Sequence, residues 1–343
     1  MNNCLTANQT IQPYSFDYDS AFQINFGLIT RDQQQKIKQA KIVICGMFGG
    51  GAAAIMLARS GFARFTLIDH NCYSIYDMNR DAGCYNDTLG QYKVEVIAGQ
   101  IKRINPQAEV STVTKKVTLQ EIRAYIQESD IYLAQSDDIA FSCHSLLIAQ
   151  TLNRYGITFM PSGMTAYVEA YPPGRRKVVD PAALFGAPDK LTCQQLYYFL
   201  RNPLNRCGRR WHITEGKWRI DWFIRWKDRK NIEAQLCPNV WLAAGLACTE
   251  IIKYVTQKWK LVEVPDMWHS RTADNNCRTG KFRRRSWWFE RIIFRIFKIE
   301  FMGLGNTYRK YTARRFKNEI SGMLEQEKES KPVRLPFMWK YLI

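Results

Sequence analysis

The chain has 343 residues, 46% hydrophobic and 23% charged, enough for one large α/β domain or two ordinary ones with a substantial core. This excludes a disordered chain, a disulfide-stapled miniprotein and a collagen-like repeat. Lys and Arg number 49 against 31 acids, a formal charge of +18, and the ten cysteines include no C-x-x-C pair, which argues against a zinc ribbon or a thioredoxin-like redox site. Residues 1–20 carry no basic cap before an apolar stretch, and no run of about 18 apolar residues occurs, so the expectation is a reduced, cytoplasmic, soluble protein.

Residues 1–20 are polar and are expected to be poorly ordered apart from an aromatic cluster over 14–22. A Gln- and Lys-rich helix over 31–39 leads into KIVICG, residues 41–46, an apolar run ending at glycine that reads as a buried parallel strand. A glycine turn then passes into an alanine-rich helix that stops at Gly61, and the next strand, 64–69, ends at Asp69. Strand, turn, helix and strand make a βαβ unit. Helix 93–105, strand 109–113, helix 118–127, strand 130–134, helix 139–155 and, after a Gly156 stop, strand 157–160 continue the alternation. The spacing predicts a Rossmann-like, doubly wound and mainly parallel sheet. Residues 166–171 read as an antiparallel strand, 174–235 as an irregular insertion with short helices, and 238–256 as a strongly apolar, buried helix.

The positive charge is concentrated. Residues 271–298 hold nine basic side chains against two acids, with Arg291, Arg295 and Lys298 on one side of an expected helix and Trp287, Trp288 and Phe289 beside them. Residues 281–301 therefore suit an anionic membrane surface, or else packing on the core or on a second subunit. Nucleic acid is not an expected partner, because no zinc finger or RNP-like motif accompanies the charge.

Gly46, Gly49, Gly50 and Gly51 lie at the first strand-to-helix turn, where free backbone N–H groups and the helix dipole favour phosphate. Asp69, 18 residues after Gly51, stands where an acid accepts ribose hydroxyls. Hydride-transfer enzymes, methyltransferases and adenylating enzymes all share this turn. Asn79, Arg80 and Lys93 follow, and Asp137 and Asp138 come after the strand over 130–134. Two cations beside a phosphate turn balance a triphosphate, and a carboxylate at a strand's C-terminal end can hold Mg²⁺. A nicotinamide cofactor needs neither, so the set favours ATP.

With these motifs in place, the sequence resembles the ThiF/MoeB/HesA family, the core of the ubiquitin-activating enzymes, over residues 16–256 and most strongly over 41–164. Within it the chain is similar to a bacterial ThiF-like branch with an F-D-Y-D-x-A-F opening, here 16–22, and a basic C-terminal extension. The resemblance implies an N-terminal arm over 1–35, an adenylation domain over 36–270 with the 174–235 insertion, and an extension over 271–343. It implies ATP and Mg²⁺, adenylation of the C-terminal carboxylate of a small carrier protein or peptide ending in glycine, and a homodimer. Asp69 would hold ribose, Arg80 and Lys93 the phosphates, and Asp137 the Mg²⁺. Cys193, or Cys207 among arginines, is a candidate for a thioester step, the alternative being ordinary cysteines. The pattern departs at Phe48 for a glycine, Asp77 for an asparagine, Asp81 for a glutamine, Asp138 for an asparagine, and Ile24 for an N-terminal arginine, with Arg31 the nearest substitute. The zinc-binding cysteine pairs of many relatives are absent, so no structural zinc is expected. Two alternatives stay open: a degenerate scaffold using its basic tail, and an NAD- or FAD-dependent oxidoreductase.

Overall fold

The computed structural model describes residues 15–174, 178–185, 187, 190–201, 217–219, 222, 225–226 and 233–281. Cys207 and the aromatic, basic segment beyond Lys281 lie outside the described residues.

Helices α1 (Tyr18–Ala21) and α2 (Arg31–Gln39) precede β1 (Lys41–Cys45), α3 (Phe48–Arg59) and β2 (Arg64–Ile68). Then come α4 (Lys93–Ile104), β3 (Glu109–Val113), α5 (Leu119–Gln127), β4 (Ile131–Ala134), α6 (Ile139–Thr151), β5 (Tyr155–Ser162) and β6 (Thr165–Tyr171). After α7 (Cys193–Arg201), helix α8 (Cys237–Thr256) and strands β7 (Asp266–Arg271) and β8 (Asn276–Lys281) complete the order. The eight strands form one sheet, β3-β2-β1-β4-β5-β6-β7-β8, parallel from β3 to β5 and antiparallel thereafter.

Period-two alternation sends the strand side chains to two cores. Ile42, Ile44, Leu67, Leu133 and Ile157 meet α3, α4 and α8, while Val43, Cys45, Ile68 and Tyr132 meet the α5 and α6 side. Both faces are covered, as a parallel sheet requires. The helices start where local chemistry predicts. Thr30 with Gln33 and Thr118 with Glu121 form capping boxes, and Asp138 caps α6 by accepting from the Phe141 N–H at 3.0 Å.

Two differences from the sequence reading, and one addition to it, have clear causes. Helix α6 ends at Thr151 rather than 155, and Gly156 lies inside β5, where it pairs with Tyr171 and leaves room for Leu146 instead of stopping a helix. The aromatic cluster over 14–22, excepted from the disorder expected of residues 1–20, has a partner the sequence did not name: Tyr18 is buried and donates to the Gly61 carbonyl at 2.6 Å, and Gln34 donates to the Tyr18 hydroxyl at 2.9 Å. The sheet also runs past residue 270, because β7 and β8 form a hairpin that carries Arg271, Arg278 and Lys281. Among the described residues no helix is long and apolar enough to cross a membrane.

Gly46 has φ +97°, and a Cβ there would sit 2.1 Å from the Gln135 carbonyl oxygen. Gly99, in α4, has open space around it. Gly46→Ala should cost more than about 3 kcal/mol, since a left-handed residue and a backbone clash coincide. Gly99→Ala should instead stabilise by about 0.5–1 kcal/mol. Urea denaturation of the two variants checks both signs.

Candidate functional site

The strand order reverses between β1 and β4, which makes their C-terminal ends the topological switch point. The turn after β1 carries Gly46, and the segment after β4 carries Gln135, Ser136, Asp137 and Asp138. The two touch at the backbone, since a Cβ on Gly46 would also fall 2.6 Å from the Ser136 nitrogen.

Helix α3 starts directly at this turn. The first-turn N–H groups of Phe48, Gly49 and Gly50 have no acceptor within the helix. Gly49, Gly50 and Gly51 are buried, and a Cβ on each would meet Phe159 at 2.5 Å, Ile44 at 2.8 Å and Ile97 at 3.1 Å, respectively. The glycines thus let α3 lie hard against the sheet and α4. Asp69, one residue past β2, accepts from the Met47 N–H at 2.7 Å and the Asn71 N–H at 2.9 Å. Its carboxylate is fixed at the edge of the turn with lone pairs to spare.

The crossover from β2 to α4 brings the cations in. Lys93 opens α4, its Nζ 2.8 Å from Asp81 and 3.3 Å from Asp77. Arg80 lies 3.4 Å from Asp77 and 3.9 Å from Asp81, donates to Asn79 at 2.8 Å and to the Tyr76 carbonyl, and rests 4.9 Å from the Phe48 ring centroid. Side-chain exposure is 0% for Asp81, 8% for Lys93, 12% for Arg80 and 13% for Asp77. Asn79 donates to the Gln235 carbonyl at 3.2 Å, and Trp241 of α8 donates to the Arg80 carbonyl at 3.0 Å. The crossover is therefore tied to α8 and the segment just before it.

Burial pushes the Asp81 carboxyl up to about 6 against the pull of Lys93. Burial also acts to raise Asp77, but the Ser74 N–H and the Lys93 ammonium leave it below the usual carboxylate value. For Lys93, burial pulls downward and the Asp81 and Asp77 carboxylates outweigh it, holding the ammonium above its ordinary value. Near neutral pH the cluster comprises two cations and two anions.

Asp137 is exposed just past the end of β4. Its neighbour Asp138 serves as the α6 cap, a role that explains an aspartate there. Cys193 starts α7, which packs on α6; burial and then the Asp138 charge raise its thiol above the ordinary value, the reverse of thiolate activation. Arg31 is bound to Asp19 at 2.7 Å and lies over Phe26, while Ile24 is 88% exposed. Sequence reasoning missed Gln135, whose amide bridges the Ala134 and Phe159 carbonyls at 2.8 and 3.0 Å, and Tyr73, buried beside Lys93. Neither stands in a motif. An open groove of about 790 Å³, bounded by Phe22, Ile55, Met56, Arg59, Arg103 and Trp241, lies along α3 and α4, and none of residues 46–51 lines it.

Removing Lys93 leaves Asp81 buried with a weaker partner. Lys93→Met should destabilise by about 3–5 kcal/mol at pH 7.5. With Lys93 present burial already raises this carboxyl to about 6, and without the ammonium it lies higher still; it then takes up its proton before the unfolded chain does, so its cost fades as pH falls. The deficit should therefore shrink at pH 5, as measured by urea denaturation at the two pH values.

Comparison with known proteins shows the family and the fold. Molybdopterin-synthase adenylyltransferase of Escherichia coli K12 is 33% identical over 110 residues, 32% of this chain and 44% of that protein. tRNA threonylcarbamoyladenosine dehydratase of Haemophilus influenzae is 27% identical over 142 residues, 41% and 54% of the two chains. The chain thus spans about half the length of the curated relatives it matches. Among solved structures, E. coli MccB with ATP superposes with a TM-score of 0.54 at 18% identity, covering 73% of this chain and 66% of that one. PaaA gives a TM-score of 0.58 at 19% identity, covering 81% and 78%. At these identities the likeness is one of fold. The ThiF family pattern matches residues 21–286, most of the sequence, and the chain belongs to the ThiF family.

Proposed function

We propose that this protein is an ATP-dependent adenylyltransferase that activates the C-terminal carboxylate of a small carrier protein or peptide ending in glycine. The observation that carries the reading is the convergence at the switch point. An uncapped helix start, a fixed ribose-side acid and two cations on the following crossover meet beside a second acidic strand end. A relative that is an adenylyltransferase and a structural neighbour that holds ATP support the same class.

The residues present suit a nucleotide. The first-turn N–H groups of α3 would receive phosphate, with Gly46 giving the turn its path and Gly49, Gly50 and Gly51 keeping the helix close to the sheet. Asp69 would accept from ribose hydroxyls, and Asn79 would keep the Arg80 loop in place. Arg80 and Lys93 would balance the charge gathering on the α-phosphate, which is positioning and electrostatics rather than covalent work by the protein. Asp137 would hold Mg²⁺, whose part is to neutralise phosphate charge. A carboxylate oxygen of the carrier attacks the α-phosphorus, the bond to the β-phosphate oxygen breaks, and pyrophosphate leaves with the electron pair. Cys193 is the candidate for a later thioester, though its raised thiol would need a base to ionise it.

The proposal extends to a homodimer in the cytoplasm and to contact of residues 281–301 with anionic membrane. A second reading, a scaffold without catalysis, is favoured by one observation: both cations are already engaged by Asp77 and Asp81. Nothing in the site calls for a flavin or nicotinamide.

Pyrophosphate exchange with a co-encoded small protein ending in glycine separates the two readings. Exchange should occur, and Lys93→Ala or Arg80→Ala should lower it about 100-fold or more. No exchange with any carrier would favour the scaffold. Vesicles rich in phosphatidylserine should bind the full chain at low salt, release it as salt rises, and fail to bind a chain ending at Lys281. Equal binding to neutral vesicles would remove the membrane contact.

A further inference from the structure

The buried ion cluster does more than position two cations. Asp77 and Asp81 are the only acids paired with Lys93 and Arg80 among the described residues, and each carboxylate faces both cations. The four charges cancel. A cluster kept purely for stability would also complete its hydrogen bonds, since a half-satisfied buried network costs more than an apolar one. This one does not. Arg80 Nε and Asp81 Oδ1 are both buried and face each other at 3.9 Å, close enough for an ion pair and too far for a hydrogen bond. Lys93 lies 5.3 Å from the Tyr73 ring centroid, and Arg80 rests on Phe48 at the opening of the phosphate turn, so the incomplete network borders the turn directly.

We propose that Asp77 and Asp81 are specificity-determining residues of this site: by cancelling Arg80 and Lys93 they make it accept a triphosphate that carries its own divalent cation and reject one that does not. The inference rests on the nucleotide reading and adds to it a selection rule. With neutral side chains at 77 and 81, two uncancelled cations would attract any polyphosphate, metal-bound or bare. With the carboxylates present, a bare triphosphate meets two anions within a few ångströms of the cations it needs, in a largely dry setting where charges are poorly screened. A bound divalent cation removes two of the triphosphate's negative charges and so most of that repulsion. Asp77 is 13% exposed and Asp81 fully buried, and both contact Lys93, at 3.3 and 2.8 Å. Substituting either should therefore act on the same preference.

The experiment is calorimetric titration of the full chain with ATP, once in excess MgCl₂ and once in EDTA, for the wild type, Asp77→Asn and Asp81→Asn. The wild type should bind the magnesium complex at least tenfold more tightly than bare ATP. Each variant should narrow that ratio to under threefold by gaining affinity in EDTA. The EDTA arm is decisive, because a metal held by Asp137 has no part in it. Should Asp81→Asn fail to fold, Asp77→Asn, at a partly exposed position, gives the same readout alone. An unchanged ratio in the variants, or a wild type indifferent to metal, overturns the selection rule while leaving nucleotide binding intact. Absence of ATP binding by all three proteins under both conditions overturns the nucleotide reading and this inference together.

Discussion

At the centre of the molecule the backbone of the turn after β1 runs against the backbone that leaves β4, too close for any side chain between them. A Cβ on Gly46 would sit 2.1 Å from the Gln135 carbonyl oxygen. This contact sets where α3 begins, and the glycines that follow let that helix settle on Ile44, Ile97 and Phe159. Everything assigned to the site is measured from here. The α3 dipole points at the switch point because the turn is this tight, and Asp69 reaches the Met47 N–H because β2 ends level with β1.

Around that fixed point the polar groups have unequal freedom. Asp69, Gln135 and Asp138 spend their hydrogen bonds holding backbone in place. Arg80 and Lys93 form ion pairs, and those pairs join the crossover to the start of α4. The crossover is also pinned by Trp241 and by the Gln235 carbonyl. Movement of the Arg80 loop would thus be felt at α8, the helix that covers β5 and β6. The site at the strand ends and the packing of α8, on the same face as α3 and α4, share a connecting strap.

The antiparallel half has its own anchor. Glu250, wholly buried in α8, accepts from Trp268 Nε1 at 2.7 Å, the Val262 N–H at 2.9 Å and Lys253 at 2.6 Å. A buried carboxylate with three donors is fully served, in contrast to Asp81, whose Oδ1 meets only Arg80 Nε, 3.9 Å away and beyond hydrogen-bond reach. One acid is structural by this criterion, and the other sits where a ligand's charge would arrive.

Much of this was open to reading in the sequence. Apolar runs of strand length, the alternation with helical periods, the glycine turn and the capping residues are local signals, and they determined the parallel half of the sheet and the residues around the turn. The N-terminal anchor of Tyr18 on Gly61, the placement of Gly156 within a strand and the docking of the β7–β8 hairpin on β6 were not legible, because each depends on partners 15 to 106 residues away in the chain. The departures at 77 and 81 were visible as letters. Their meaning was decided only by tertiary structure, since a carboxylate's effect depends on how near the cations lie and how little water lies between them, and spacing along the chain records neither.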